Sequence, residues 1–410
     1  MIIVDLFSGA GGLTFGFYYK LINGEFVENN DNSFAFANEY DKNAAKAFRK
    51  NYPRIHMENC DIKDLTEAKI KALIKNQSVD LIIGGPPCQS FSTVGQRQFD
   101  DKAKLYVEYL RMIRVIKPKM FLFENVKGLL SMREVFYKKD ADGNIVYEYT
   151  NTENKTSKKP RKKPVVDHYG DKIMDIIKKQ FEELGYTIYH KLFNAVEFGV
   201  PEKRERVFIV GVRNDVKIDH KLTSPNVKPN ISIKEAISDL PSVGEKEEKK
   251  EYKDKPSNAY QRLMRGKCES ITQHYCGEYG EKIRTVIKNV KQGEGKNNFN
   301  ALVDAGEFPE EYRLTSGYAN TYGRLVENQP SPTITNNMTT PSALRCIHYS
   351  QDRALTPREG ARIQSFPDWY QFVGKKEHVT KQIGNAVPPL LSVCLARQIE
   401  KMLEEDLDNE

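Results

Sequence analysis

The sequence has few of the features that mark exported or membrane-embedded proteins. None of its apolar runs approaches the ~18–20 residues that a membrane-spanning helix needs. The first residues, MIIVDLF, carry no basic segment ahead of their apolar stretch, so we expect no signal peptide. Six cysteines in 410 residues are too few for a disulfide scaffold, and we expect them to stay reduced. These absences predict a cytoplasmic protein.

The chain also lacks a strong charge imbalance. Its 63 Lys and Arg exceed its 56 Asp and Glu by seven, which permits nucleic acid as a partner without requiring it. Hydrophobic residues make up 39% of the chain, enough for a real core, and the length suggests two or three domains at ~150 residues each. The absence of a Gly-Lys-Ser/Thr motif argues against a nucleoside triphosphate site.

Short apolar runs alternate with helical patterns in the first 210 residues. Five apolar runs predict strands, at residues 2–7, 34–37, 81–83, 120–123 and 207–212. Four patterns between them predict helices, near residues 41–50, 66–75, 103–117 and 170–184. This alternation predicts an α/β fold with a doubly wound, mostly parallel sheet. Ligands of such sheets bind beyond the carboxyl ends of the strands, so the polar residues after each run are the candidates for a site.

Two regions depart from this alternation. Residues 138–163 hold eight Lys or Arg against four acids, and Asp142-Gly143 within them predicts a hairpin turn. This basic insertion is either a solvated loop or a contact to a DNA backbone. Residues 214–350 carry turn clusters and mixed charges, which predict a second, smaller, irregular β-rich domain.

The C-terminal part returns to helical patterns. Thr356 as N-cap, Pro357 at the first helical position and Glu359 two residues later predict a helix start with a capping box. A last helix is expected near residues 389–404. Together these features suggest three segments: residues 1–213, 214–375 and 376–410.

A glycine-rich turn, residues 5–12 (DLFSGAGG), follows the first predicted strand. Glycines there allow a tight turn and close approach of a ligand to backbone N–H groups. Glu39-Tyr40 ends the next strand, where a carboxylate can accept both hydrogens of a ribose diol and a ring can stack on adenine. Asp61 ends a third candidate strand and could accept from an adenine amine. Their coincidence favours a cofactor site over a simple turn flanked by solvated acids.

Reactive side chains follow the later strands. Cys88 comes after two prolines, whose stiffness fixes the direction of a nucleophile, although a lone cysteine is usually a small buried hydrophobe. Glu124 is delivered to the same sheet edge by the following strand. Arg204 and Arg206 are two residues apart, so they point the same way in an extended segment, and nearby positive charge would help a thiol to ionise.

These motifs, in this order, resemble those of S-adenosylmethionine-dependent DNA (cytosine-5)-methyltransferases of the prokaryotic restriction-modification type. The resemblance runs from Asp5 to Pro389. The motifs are Phe-Ser-Gly-Ala-Gly-Gly at residues 7–12, Asn-Glu-Tyr-Asp at 38–41, Pro-Pro-Cys-Gln at 86–89, Glu-Asn-Val at 124–126, Arg-Glu-Arg at 204–206, Pro-Thr-Ile-Thr at 332–335, residues 358–367 and Gln-Ile-Gly-Asn-Ala-Val-Pro at 382–388. The ordered set is far more specific than any single motif.

The resemblance implies a role for each catalytic residue. Cys88 would attack C6 of cytosine, and Glu124, beside Asn125, would hold N3 and the exocyclic amine of the ring. Arg206, supported by Arg204, would bind the O2 edge. The target base must be flipped out of the duplex, because C5 and C6 are inaccessible within it. The stretch 90–104 resembles the mobile loop that closes over the base, where Gln96, Arg97 and Lys102 could touch DNA.

The resemblance also implies S-adenosylmethionine as cofactor, with no metal, and double-stranded DNA as partner. The last helix should pack on the first domain, because the residues that close the pocket lie at its beginning. The implied cofactor residues are Phe7, Ser8, Gly9, Ala10, Gly11, Gly12, Leu13, Glu39, Tyr40, Asp61, Ile62, Pro86, Leu105, Asn385 and Ala386. A monomer is expected, near the nucleoid, with a separate cognate restriction endonuclease as a further partner.

The second domain matches the position of the family's target recognition domain. Tyr318, Tyr322 and Arg324 lie there, in a neighbourhood that either contacts bases or forms a surface turn. Many members of the family carry Gln where this chain has Glu202, an acid that could compete for the two arginines or point to solvent. Residues 268–276 include Cys268, His274 and Cys276, but without a second ligand pair a zinc site is not expected.

Two other functions remain open at this point. Transfer RNA cytosine methyltransferases share the fold and catalytic motifs, but they usually carry Pro-Phe after Cys-Gln, where this chain has Ser90-Phe91. A catalytically dead DNA-binding paralogue is disfavoured because Cys88, Glu124 and Arg206 are intact, and because no helix-turn-helix segment precedes the first strand.

Overall fold

A seven-stranded sheet forms the centre of the computed structural model, which describes residues 1–86, 105–150, 161–218, 221–225 and 230–407. Across the sheet the strands are β12 (Tyr186–Asn194), β14 (Glu205–Arg213), β7 (Met120–Val126), β6 (Leu81–Gly84), β1 (Ile2–Leu6), β4 (Ser33–Asn38) and β5 (Met57–Glu58). Six strands run in the same direction, while β14 runs antiparallel to its neighbours β7 and β12. The predicted doubly wound, mostly parallel α/β sheet is therefore confirmed.

The two central strands are almost entirely buried. β1 (IIVDL) and β6 (LIIG) are apolar apart from the buried Asp5, because helices cover both faces of the sheet. The chain moves outward from β1 to β4 and β5, and from β6 to β7 and β14 on the other side. The strand order therefore reverses between β1 and β6, and a crevice for ligands opens there at the carboxyl ends.

Helices on the two faces separate the core into two clusters. The helices of this region are α1 (Thr14–Tyr18), α2 (Lys42–Asn51), α3 (Glu67–Leu73), α4 (Leu105–Ile116) and α5 (Ile173–Glu183). Phe48 of α2 packs in one cluster, and Tyr109 of α4 packs with Phe181 of α5 in the other. The four predicted helices are present, although residues 103–104 of one prediction lie outside the described residues.

A β-ribbon leaves the sheet between β7 and α5. It consists of β8 (Arg133–Tyr137) paired antiparallel with β11 (Val166–Lys172), and of β9 (Tyr147–Thr150) paired antiparallel with β10 (Arg161–Pro164). The turn before β9 closes with Gly143 at φ +84°, a conformation that favours glycine. The hairpin predicted at Asp142-Gly143 is thus confirmed. Another hairpin, β2 (Tyr19–Ile22) with β3 (Glu25–Glu28), was not predicted.

The region after β14 is built from short helices joined by loops. These helices are α6 (Ile233–Ile237), α7 (Ala259–Arg265), α8 (Glu281–Asn289) and α9 (Lys296–Asp304). A separate apolar cluster includes Val286 and Ile287 of α8 and Phe299 of α9. Extended pairing in the described part of this region is limited to β15 (Ser331–Pro332), which pairs with β13 (Glu202–Lys203), and isolated bridges.

Three helices end the described chain: α10 (Pro357–Ile363), α11 (Lys376–Asn385) and α12 (Pro389–Leu407). The capping box predicted at Thr356 is confirmed, because its side chain and that of Glu359 bond reciprocally to the backbone. The last helix packs on α1, where the N–H of Gly16 donates to Ser392 Oγ at 3.0 Å. Within the residues described, no helix is long and apolar enough to cross a membrane.

Candidate active site

The glycine-rich loop between β1 and α1 adopts a conformation that requires glycine. Gly9 and Gly11 have φ values of +57° and +100°. A Cβ atom at Gly11 would lie 2.1 Å from the ring of Tyr52, and one at Gly12 would lie 2.5 Å from the carbonyl oxygen of Val387. The loop thus packs closely against Tyr52, which follows α2, and against Val387 of the C-terminal segment. At Gly9, a Cβ would meet nothing within 4 Å, so the loop is open on that side.

Two buried tyrosines hold the carbonyl groups of this loop. The hydroxyl of Tyr52 donates to the carbonyl oxygen of Gly11 at 2.5 Å, and that of Tyr370 donates to the carbonyl oxygen of Ala10. The two hydroxyl oxygens lie 3.1 Å apart. Sequence reasoning missed both residues, because neither belongs to a motif with a readable spacing.

A carboxylate meets the open side of the loop. Glu39 Oε2 accepts from the N–H of Gly9 at 2.8 Å, and its Oε1 accepts from the N–H of Asp41 at 2.6 Å. Burial raises the pKa of Glu39, and the two backbone hydrogen bonds oppose this shift. A carboxylate has about four lone-pair sites, so Glu39 keeps acceptor capacity for a diol.

Hydrogen bonds connect the end of β5 to the end of β4, next to Glu39. The amide of Asn38 donates to the carbonyl oxygens of Glu58 and Cys60, each at 3.1 Å. Asp61 follows directly and caps a short helical turn by accepting from the N–H of Lys63 at 3.0 Å. The structure therefore brings the Gly9 loop, Glu39 and Asp61 to neighbouring strand ends, as the sequence predicts for a cofactor site.

Other predicted cofactor residues occupy more varied surroundings. Tyr40 is 74% exposed, and Asn385 is also exposed. Ala386 reaches the glycine loop, because its Cβ lies 2.8 Å from the position of a Cβ at Gly12. Phe7 follows β1 with φ +56°, and the hydroxyl of Ser8 donates to the carbonyl oxygen of Asn38. Leu105 lies at the start of α4. The buried members are Leu13, Ile62 and Pro86.

An ion pair lies at the carboxyl edge of the sheet. Arg206 Nε is 3.1 Å from Glu124 Oε1, and both side chains are largely buried, with 15% and 13% exposure. Burial raises the pKa of Glu124, while Arg206 and Arg204 act to lower it. A Cβ at Gly85, just past β6, would lie 2.8 Å from Glu124 Oε2, so this glycine leaves room for the carboxylate. Asn125 is buried beside it and accepts from the N–H of Val126 at 2.9 Å.

The proposed nucleophile and its loop fall outside the described residues. This applies to Cys88, Ser90-Phe91 and the stretch 90–104 with Gln96, Arg97 and Lys102. The described chain reaches Pro86, which is buried just beyond β6 and next to Gly85. The edge that carries Glu124 and Arg206 is therefore continuous with the segment that leads to Cys88.

Arg204 has a different set of partners from Arg206. Its guanidinium is fully buried and donates to the carbonyl oxygens of Gly384 at 2.8 Å and Ile334 at 3.3 Å. Burial and the neighbouring Arg206 lower its pKa to about 10. Arg204 thus joins β13–β14 to two segments that are distant in sequence, while Arg206 faces Glu124.

Glu202 does not point to solvent, so that alternative is wrong. It is completely buried and accepts from the N–H of Ile334 at 2.6 Å, with Arg204 Nη1 at 3.5 Å. The carboxylate therefore competes for Arg204 and leaves Arg206 to Glu124. Burial raises the pKa of Glu202, and Arg204 opposes the shift.

The residues considered for base contacts divide into exposed and buried ones. Arg324 is buried and donates to the carbonyl oxygens of Ile287 at 2.6 Å and Val290 at 2.7 Å. The donors of Arg324 are thus engaged in holding the backbone, and a base contact in this neighbourhood stays a prediction. Tyr322 is also buried, at 8% exposure, whereas Tyr318 is 57% exposed and available.

The Cys/His group is also built into the fold. His274 is buried, with Nδ1 2.9 Å from Thr356 Oγ1 and Nε2 2.8 Å from the carbonyl oxygen of Pro241. The thiol of Cys276 donates to the carbonyl oxygen of Gly277. Across the described ranges, no three His, Cys, Asp or Glu residues are grouped to hold a metal ion.

Comparisons with known proteins agree on one family. The family model for C-5 cytosine-specific DNA methylases matches residues 1–141 and 163–401. The chain is 32% identical to the Type II methyltransferase M.DdeI of Desulfomicrobium norvegicum, with 98% of this chain and 89% of the relative covered. It is 32% identical to the Type II methyltransferase M.FnuDI of Fusobacterium nucleatum, with coverages of 99% and 96%.

Solved structures show the same fold. One is a prophage-encoded protein of E. coli described as a DNA modification methyltransferase, with a TM-score of 0.69, 23% identity and coverages of 98% and 99%. Another is the Entamoeba histolytica methyltransferase EhMeth, with a TM-score of 0.57, 14% identity and 98% coverage of both chains. The sheet order, the ion pair at its edge and these matches lead to one assignment. The chain belongs to the C-5 cytosine-specific DNA methylase family and is a DNA (cytosine-5)-methyltransferase of the restriction-modification type.

Proposed function

We propose that the chain methylates C5 of one cytosine within a specific duplex sequence, through a covalent bond between Cys88 and C6 of that base. The observation that carries this proposal is the Glu124–Arg206 pair beside Gly85, where two buried groups of opposite charge face the segment that leads to Cys88. The family assignment gives the class of reaction, and Glu124 and Arg206 are the charged groups that could bind the cytosine ring.

Each catalytic side chain has a defined task. The Cys88 thiolate adds to C6, while Glu124 holds N3 and the exocyclic amine and Arg206 holds O2. The raised pKa of Glu124 suits it to share a proton with N3 as electron density moves into the ring. C5 becomes nucleophilic and gains the methyl group. Loss of the C5 proton and β-elimination then break the Cys88–C6 bond and restore the thiolate.

The glycine loop and its acids fit the cofactor that the family uses. When bound, S-adenosylmethionine supplies a methyl group made electrophilic by its sulfonium, so the reaction needs no metal. Glu39, fixed by two backbone N–H groups, would accept from the ribose diol, and Asp61 would accept from the adenine amine. Phe7 and Tyr40 would flank the ring. The remaining proposed contacts are Ser8, Gly9, Ala10, Gly11, Gly12, Leu13, Ile62, Pro86, Leu105, Asn385 and Ala386.

The domain organisation follows from this division of tasks. Residues 1–213 would form the catalytic domain, completed by residues 376–410, whose last helix packs on α1. Residues 214–375 would recognise the target sequence, with Tyr318 as an exposed candidate. The stretch 90–104 would close over the flipped base, since C6 cannot be reached within a duplex. The enzyme would act as a monomer near the nucleoid, alongside a separate restriction endonuclease.

Bisulfite sequencing of plasmid DNA from cells that express this chain tests the proposal. Cytosines within one recurrent sequence should resist conversion, and the same plasmid from cells that express C88S should convert fully. The C88S protein should still bind S-adenosylmethionine, as measured by calorimetry. Uniform conversion with the wild-type enzyme, or protection with C88S, would contradict the mechanism. Labelled cofactor with transfer RNA as substrate provides the comparison with the alternative substrate class.

A further inference from the structure

The β-ribbon of residues 133–172 is not explained by the chemistry of the family. The family model matches residues 1–141 and resumes at residue 163, so residues 142–162 of the ribbon lie outside it, while Lys138, Lys139 and Lys163 lie at the borders of the matched ranges. The described tip nevertheless has regular structure, with β9 paired to β10 in a continuous antiparallel register. This chain therefore carries a structured addition whose task has to be read from its own residues.

The ribbon begins at the edge of the sheet that carries the catalytic pair. β7 presents Glu124 and ends at Val126, and a single helical turn, Lys127–Leu130, leads into β8. The base of the ribbon is closed by a hydrogen bond from the N–H of Ile173 to the carbonyl oxygen of Met132, at 2.9 Å. Its root is thus fixed close to the place where the target base has to lie.

Four lysines at the junction of the two strand pairs give the ribbon its charge. Lys138, Lys139, Lys162 and Lys163 are all exposed. None of their ammonium groups forms an ion pair within the described part of the chain. Backbone bonds fix this junction, since the N–H of Lys138 donates to the carbonyl oxygen of Val165 at 3.0 Å.

The ribbon also carries acids, but within the described residues none of their carboxylates forms an ion pair with the four lysines. These acids are Glu134, Asp140, Asp142, Glu148, Asp167 and Asp171. Asp140 accepts through Oδ1 from the N–H groups of Asp142 and Asn144, and so stabilises the turn. Many other surface lysines of this protein are paired with carboxylates, as Lys69 is with Glu58 at 2.7 Å. An unpaired cluster of this kind attracts a polyanion.

Exposed rings accompany the lysines. Tyr147 is 43% exposed, and the ammonium of Lys162 lies 4.3 Å from the centre of its ring. Phe136, 45% exposed, stacks on His168 with ring centres 4.5 Å apart. Basic residues interleaved with aromatic rings are typical of nucleic-acid-binding surfaces.

From these observations we infer that the ribbon is a second DNA-binding surface, which contacts the phosphates of the duplex flanking the target cytosine. This inference rests on the proposed function, because that function brings duplex DNA to the edge where the ribbon begins. The four lysines would displace counterions from the phosphates and thereby strengthen binding without reading sequence.

The test measures the salt dependence of binding to a labelled duplex of about 40 base pairs that carries the recognition sequence found by bisulfite sequencing. One variant replaces Lys138, Lys139, Lys162 and Lys163 with Gln. The slope of log affinity against log salt should fall by about 0.9 for each lost phosphate contact, and affinity near 150 mM salt should fall about tenfold or more. The kcat at saturating DNA should stay within about twofold of wild type.

A control neutralises four exposed lysines away from the catalytic edge: Lys75, Lys117 and Lys179, together with Lys178, which lies 3.6 Å from Glu182. This control should keep the wild-type slope, as should replacement of the four ribbon lysines with Arg. Thermal unfolding shows whether each variant is folded. The double variant Lys162→Gln with Lys163→Gln is a milder change, and the slope of its log affinity against log salt provides a second measurement.

Three outcomes would overturn the inference. The first is an unchanged slope of log affinity against log salt in the ribbon variant. The second is an equal loss of affinity in the control variant. The third is a loss of affinity for duplex RNA without a loss of affinity for duplex DNA. Failure of the proposed function is a separate result, because it appears as uniform bisulfite conversion with the wild-type enzyme, before any variant is compared.

Discussion

Arg206 Nε lies 3.1 Å from Glu124 Oε1, and the two residues belong to the neighbouring antiparallel strands β14 and β7. The register pairs Arg206 with Val126 and Glu124 with Phe208, so the contact is diagonal across the ladder. Each group lowers the cost of burying the other, and each would be unpaired if its partner were removed. In the proposed mechanism, the pair would hold both base-binding groups in place before the substrate arrives.

Replacement of Glu124 with Gln should reduce kcat by about 10²–10³-fold if Glu124 offsets charge on the ring as proposed. The dissociation constant for S-adenosylmethionine should change little, since Glu124 is not among the proposed cofactor contacts. The matched control is Glu205→Gln, which removes the neighbouring carboxylate, paired with Lys127 at 2.9 Å and 42% exposed. Single-turnover methylation of duplex DNA measures both. Equal losses in the two variants would contradict the assigned role.

Replacement of Tyr370 with Phe should weaken binding of S-adenosylmethionine about fivefold. The change leaves the carbonyl oxygen of Ala10 without this donor, a loss of about 1 kcal/mol that loosens the glycine loop. The kcat at saturating cofactor should stay close to wild type, which identifies a positioning role. Calorimetric titration measures the affinity. Tyr260→Phe is the control, because that buried hydroxyl donates to a carbonyl in another part of the fold, at Arg362.

Glu202 can be replaced with Gln at low cost but not with Ala. An amide oxygen can still accept from the N–H of Ile334, so Glu202→Gln should change the free energy of unfolding by less than about 1.5 kcal/mol. Glu202→Ala removes the acceptor and leaves the Arg204 cation without its buried partner, which should cost about 3–5 kcal/mol. Urea unfolding distinguishes the two. A similar loss in both variants would show that the charge itself is required.

His348 should make stability fall in acid. Its Nδ1 accepts from the N–H groups of Ser350 and Gln351, each at 3.1 Å, and burial lowers its pKa to about 4. Glu359 opposes this shift, whereas Arg353, Arg324 and His274 favour it. As the pH falls, this histidine therefore takes up a proton in the unfolded chain before it does so in the folded protein. The free energy of unfolding is highest above the unfolded pKa of about 6.5. It should fall by up to about 3 kcal/mol as the pH approaches 4.

Urea unfolding between pH 4.5 and 7.5 measures this loss. His348→Asn retains an acceptor in place of Nδ1 and should flatten the slope of stability against pH. His168→Asn is the control, because His168 is 61% exposed on the ribbon. If His348→Asn keeps the wild-type slope, other groups must account for the acid sensitivity.

The sheet could be predicted where its strands are buried on both faces. β1 and β6 are short continuous apolar runs, and the helices between them carry clear amphipathic patterns. β12 was missed because the sequence YTIYHKLFN alternates polar and apolar residues at the sheet edge, with no apolar run. The candidate strand ahead of Asp61 corresponds to β5, which is only two residues long and ends at Glu58, because so short a strand has no periodicity that would fix its bounds.

The placement of candidate residues at the sheet edge could be predicted where they lie at the carboxyl ends of strands. Glu39 follows β4 directly and Glu124 lies near the end of β7, and parallel strands bring their carboxyl ends to one edge. Tyr52 and Tyr370 could not be found in this way, since they are 318 positions apart and meet only through packing. The burial of Arg324 could not be read from the sequence either, because the carbonyl groups that its guanidinium contacts come from residues 34 and 37 positions away.

The contacts of Gly12 and Gly16 with residues 386–392 have a consequence for how the glycine loop acquires its shape. Gly12 lies against Val387, and the N–H of Gly16 donates to Ser392 Oγ, a residue 376 positions away in the sequence. Residues 1–213 alone would hold the strands of the sheet but would lack these two supports. The loop therefore takes its final shape only when two distant segments of the chain have come together.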